Sequence, residues 1–141
     1  MRVIIGVLCT SLWLLYAGQV VSALNYKLAV RLRLQDSEGD PNDVTRRLER
    51  WTARFDVLLL WTLPTAGVFM LIDHSWWPYA AIIGGGVYID GLGRYMFTVL
   101  GLREQGAWTG TPSDWCATKV ILLPVIVLSG VAVAMGLSES I

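Results

Sequence analysis

Asp90 and Arg94 stand four residues apart inside a long apolar stretch, Ala80–Leu102, where charged side chains are otherwise missing until Arg103. Acid before base at that spacing is the order that pairs favourably along one helix face. Asp90 lies about ten residues in from Tyr79, or ~15 Å at 1.5 Å per residue, close to mid-membrane if the stretch crosses a bilayer. An unpaired charge at that depth costs several kcal/mol, so the two are expected to form an intramembrane ion pair. Two chemistries fit such a pair. It can carry protons or bind a ligand, with Tyr88, Tyr95, Thr62 and Thr65 as polar neighbours. Or Asp90 only neutralises Arg94 and clamps one helix to another, which is the cheaper way to tolerate two charges.

The element that must position the pair is rich in glycine. Gly84, Gly86, Gly91 and Gly93 all fall within it, together with Gly85. Glycine lets helix backbones approach closely where lipid supplies no hydrophobic force to drive them together. Gly86, Asp90, Gly93 and Phe97 share a heptad-like stripe, which predicts that the acid points at a neighbouring helix and that this stretch is the central packing helix.

Three further apolar runs accompany it, giving spans at about 3–24, 57–72, 80–102 and 120–137. A helix needs about 20 mostly apolar residues to cross ~30 Å of hydrocarbon. The fold expected is therefore all-α: a polytopic membrane protein forming a four-transmembrane-helix bundle, with residues 1–141 as a single integral membrane domain. Composition agrees, at 55% hydrophobic and 16% charged residues, against about 25% charged in soluble domains. Pro64 should kink the second span, and Pro124 falls in the first turns of the fourth. Ser129, Gly130, Ala132, Ala134 and Gly136 give that fourth span a small-residue side suited to the third.

Charge sets the orientation. Of eleven Lys and Arg residues, seven fall between the first two spans, and Arg103 and Lys119 bound the connection between the last two. Only Arg2 precedes the first span. Lysine and arginine near span ends stay cytoplasmic, so both termini face outward and loops 25–56 and 103–119 face inward, in a bacterial inner membrane. A competing reading takes the first run as a secretory signal cleaved after Ala23, in Val21-Ser22-Ala23, but its length and single leading arginine favour an uncleaved span.

The first inner connection has its own pattern. Residues 25–35 alternate apolar and basic, which fits an extended segment or a continued helix. Asp36–Asp43 is a polar turn without the calcium-loop frame, and Asp43 is a good N-cap for a helix starting at Val44. Val44, Leu48, Trp51 and Phe55 recur at helical spacing opposite Arg46, Arg47, Arg50 and Arg54. This basic amphipathic helix can lie on the anionic inner leaflet as a lipid-facing site, or act as a topology anchor, and should run on into the second span. Trp76, Trp77 and Tyr79 mark one interface and Trp51, Trp108 and Trp115 the other, while Trp13 and Trp61 are expected in helix contacts. Cys9 and Cys116 are too far apart to pair, and His74 is alone. No cofactor, no metal and no nucleic acid is predicted.

The Gly-Leu-Gly-Arg element, Gly91–Arg94, late in the third span and followed by a polar glycine-containing loop, resembles small uncharacterised bacterial membrane families of DoxX-like type. The resemblance implies a four-helix membrane bundle and assigns no catalytic residues. Among function classes, the foremost expectation is an accessory, scaffolding or assembly subunit of a membrane complex or homo-oligomer. A small proton-linked transporter or channel using Asp90 ranks second. A membrane-embedded enzyme comes last, since paired catalytic carboxylates, a nucleophile–base set and a phosphate loop are all missing from the sequence.

Overall fold

The computed structural model describes residues 1–32, 43–106 and 112–140, leaving aside the side chains of residues 26, 43–50, 112–115 and 117. The described residues are all helical or in turns: α1 (Arg2–Ser11), α2 (Trp13–Leu24), α3 (Tyr26–Arg31), α4 (Asp43–Leu59), α5 (Thr62–Leu71), α6 (Trp77–Glu104) and α7 (Pro112–Ser140). Three stretches are long and apolar enough to cross a membrane, Arg2–Leu24, Trp51–Leu71 and Thr118–Ser140. They point to a membrane protein. The long helix α6, with its glycines and charges, is not one of the three.

Helices α1 and α2 are nearly one rod. Leu12 keeps helical angles (φ −65°, ψ −11°), and only a tightened bond from its N–H to the Cys9 carbonyl separates them. Of the alternating segment, Tyr26–Arg31 is helical, one of the two forms expected, and residues 33–35 lie outside the described ones. The Asn25 side chain caps α3 by accepting from the Leu28 N–H at 3.1 Å. The basic amphipathic helix is α4, and its last two turns belong to the second spanning stretch, which begins at Trp51 instead of Val57. That shift brings Arg54 and Asp56 into the stretch. Pro124 lies in the first turns of the last spanning stretch, which begins at Thr118, and inside the helix α7, which already starts at Pro112.

Consecutive rods run antiparallel. Gly67 of α5 sits against Gly6, Cys9 and Thr10, while the Tyr16 hydroxyl of α2 donates to the Val57 carbonyl of α4 at 3.2 Å. Between α6 and α7, Gly85 meets Ser129 and Gly136 meets the Pro78 carbonyl. Small residues fill many of these contacts, with Cys9, Ala66, Ala81, Ser129 and Ala132 fully buried beside Leu63 and Met70. Large side chains such as Ile4, Leu14, Leu58, Val120 and Val127 are exposed instead. A water-soluble core would bury these, whereas lipid is as apolar as they are and leaves close backbone packing to hold the helices.

Aromatic placement differs from expectation at Trp13 and Trp61. Trp77 is buried, with the Arg2 guanidinium 5.9 Å from its ring and Arg2 also bonded to Asp73 at 2.8 Å. Trp13 and Trp61 are on the outside, Trp13 edge-on to Tyr16. His74 stacks on Phe69 at 4.8 Å and accepts from the Trp76 N–H at 3.2 Å, closing the α5–α6 turn. Trp108 and Trp115 are outside the described residues and side chains.

Candidate functional site

The break between α4 and α5 prepares the site. Pro64 has no N–H, so the Leu60 carbonyl four residues earlier lacks its helical donor. The buried Tyr88 hydroxyl of α6 donates to that carbonyl at 2.8 Å. Three neighbouring carbonyls also take side-chain donors. Thr62 Oγ1 bonds Leu59 at 2.7 Å, Trp61 Nε1 bonds Leu58 at 2.9 Å, and Tyr16 bonds Val57. Backbone groups loosened by a break in an apolar medium must find partners inside the protein, and here they do.

On the far side of this break α4 and α6 part. A cleft with about 40 Å³ of free space opens between them, lined by Phe55, Asp56, Leu59, Leu60, Val87, Asp90, Gly91 and Arg94. The volume admits roughly two or three waters. Arg94 Nη2 is bonded to Asp90 Oδ2 along α6, the pairing the spacing predicts. No described helix closes over the pair: the Arg94 and Asp90 side chains are 65% and 63% exposed. Asp90 stands at the edge of the cleft, with Asp56 of α4 among the residues that line it.

The glycines explain why. A Cβ on Gly84 would lie 2.6 Å from the backbone of Leu63, and one on Gly85 2.7 Å from the Ser129 carbonyl oxygen. A Cβ on Gly86, Gly91 or Gly93 would meet nothing within 4 Å. Gly84 faces α5 and Gly85 faces α7, so residues two positions further round the helix, including Gly86 and Asp90, turn outward. Phe97 on the same stripe is 77% exposed. Gly130 likewise has open space, and Ala134 is exposed.

The expected polar neighbours are placed elsewhere. Tyr88 and Thr62 serve the helix break, Thr65 Oγ1 bonds the Trp61 carbonyl of its own helix at 2.8 Å, and Tyr95 is exposed; none of the four lines the cleft. Asp56 is the residue that sequence reasoning missed. It reads as the polar end of the basic helix, yet the uninterrupted apolar spacing through Trp51 and Phe55 into Leu58 marks it as an acid already inside the span. With Asp56 the cleft holds two carboxylates and one guanidinium, a set able to hold a proton or a polar group. Of the basic helix, the side chains of Arg46, Arg47 and Arg50 lie outside the described ones, while exposed Arg54 sets its guanidinium 5.1 Å from the Trp51 ring. Among the described residues no three His, Cys, Asp or Glu side chains come together to hold a metal.

The chain matches no family model, no curated protein and no solved structure.

Proposed function

We propose that the chain is an accessory, scaffolding or assembly subunit of a membrane complex or homo-oligomer, with α6 as a fourth span beside the three apolar ones. One observation carries this reading: the Asp90–Arg94 pair on α6 is about two-thirds exposed, with no described helix closed over it. Asp90 follows Trp77 by thirteen residues, ~20 Å along a helix, which is well inside ~30 Å of hydrocarbon. Charges facing lipid at that depth cost several kcal/mol, and a second protein surface removes most of that cost. The anionic inner leaflet is the other partner, through the basic side of α4.

Purification of the full chain in a mild detergent tests the reading. The protein component should have a mass above one chain of 15.6 kDa, held as a discrete complex. A particle containing a single chain only would contradict it.

The orientation proposed has both termini outside and residues 25–50 and 103–119 in the cytoplasm of a bacterial cell. Reporter fusions at Gly39 and Ser140 check the span count. Four spans put the two reporters in opposite compartments. Three spans, with α6 left outside the bilayer, put them in the same one.

A second reading is favoured by Asp56. Two carboxylates beside one guanidinium leave the cleft with an acid in excess, the arrangement a proton-linked transporter or channel would use. The resemblance to DoxX-like families adds a four-helix membrane bundle to this picture and no activity.

A further inference from the structure

Along the side of α6 turned away from α5 and α7 the residues Tyr79, Ile83, Gly86, Asp90, Gly93 and Phe97 follow one another at intervals of four, three, four, three and four. That is a heptad seam, the spacing that holds one helix against another over its whole length. Among the described residues no helix packs along it, and only Asp90 has a neighbour from another helix, across the cleft lined by Phe55 and Asp56 of α4. Ile83 and Phe97 are 61% and 77% exposed, and side chains added at Gly86 or Gly93 would enter open space.

We propose that this seam packs against the same seam of a second copy of the chain, the two α6 helices lying parallel about a two-fold axis along the membrane normal. The inference rests on the subunit reading above and names the partner. Insertion fixes one direction for α6 in every copy, so helices related by such an axis are parallel and in register. Gly86 and Gly93 then face the partner's Gly86 and the partner's Gly93, bare backbone on bare backbone, the closest approach that helices in lipid can make. Ile83 and Phe97 fill the layers above and below.

Charge selects the same partner. In register, Asp90 lies beside the partner's Asp90, which alone would repel. Arg94, one turn further on, reaches along its own helix and across to the partner. Two carboxylates and two guanidiniums then make a neutral square in which each charge has an opposite neighbour. A face with equal numbers of acid and base is complementary to itself, as an isologous contact requires.

Disulfide trapping in membranes tests this on the full chain carrying Cys116→Ser, with the fully buried Cys9 retained. Phe97→Cys and, separately, Ile83→Cys should yield disulfide-linked dimers on oxidation, and Ile121→Cys on the exposed side of α7 should not. Gly86→Leu added to Phe97→Cys should lower the linked fraction by about tenfold, ~1.4 kcal/mol of association. The melting temperature of the dispersed single chain should not fall with Gly86→Leu, because nothing outside the neighbouring backbone of α6 lies within 4 Å of the new Cβ. Absence of dimer at both seam positions overturns the inference. In that case a multi-chain particle in mild detergent assigns the face to a different subunit and leaves the subunit reading standing, whereas a single-chain particle overturns both. Equal linking at Ile121→Cys, or linking at Phe97→Cys undiminished by Gly86→Leu, also overturns it.

Discussion

Near the two chain termini the rods touch backbone to backbone, while towards the two long connections α4 and α6 stand apart. At the terminal end Gly67 lies against Thr10, Gly84 against Leu63, Gly85 against Ser129 and Gly136 against Pro78. At the other end Gly91, Gly93 and Gly101 look into open space, Phe55 and Phe97 are exposed, and the cleft with Asp56, Asp90 and Arg94 opens. Both ends are built from the same kinds of residue. Glycine therefore stabilises a membrane helix only where a second backbone comes to meet it, and the meeting points are set by the partner helix, not by the glycine.

The largest expected effect lies at the terminal end. Gly67→Leu places a side chain whose Cβ alone would sit 2.5 Å from the Thr10 nitrogen and 2.7 Å from the Gly6 carbonyl oxygen. Backbone cannot yield there without separating α1 from α5. The variant should lose about 3 kcal/mol or more, read as loss of folded protein in a detergent-unfolding titration. Unchanged stability would mean the first and second spans do not pack as described.

A middle-sized effect belongs to the waist where the two ends meet. Tyr88→Phe leaves the Leu60 carbonyl without a donor, since Pro64 has none to give. A buried acceptor left unpaired costs about 1–3 kcal/mol. The same titration should show that loss, and Pro64→Ala in the Tyr88→Phe background should recover part of it by restoring a helical N–H. A neutral Tyr88→Phe would mean that the break is held by packing alone.

Much of the helical framework is visible in the sequence, because apolar runs of span length leave few alternatives. The Asp90–Arg94 pairing is visible too, since i and i+4 on one helix meet whatever surrounds them. The direction in which the pair points is not. Five glycines in the ten residues 84–93 put small residues on every side of α6, so the periodicity of Gly86, Gly93 and Phe97 cannot say which side α5 takes. Gly84 meeting Leu63 decides it, a long-range match with no local signature. The start of the second spanning stretch is hidden for a different reason: four arginines between 46 and 54 look like an interfacial helix, although their helix continues unbroken to Leu59. Asp56 is hidden with it.

The smallest effect, at Gly93, supplies the sharpest test when it is paired with Gly84 in one measurement. Gly84→Ala and Gly93→Ala add the same methyl group to the same helix, and their unfolding free energies can be measured on dispersed single chains in one detergent. Gly84→Ala should lose about 2 kcal/mol or more, because its Cβ would stand 2.6 Å from the Leu63 backbone. Gly93→Ala should be neutral or gain up to ~1 kcal/mol from helix propensity, having nothing within 4 Å. Equal losses at the two positions, or a larger loss at Gly93, would contradict the division of α6 into a face packed within the chain and a face left open for a partner.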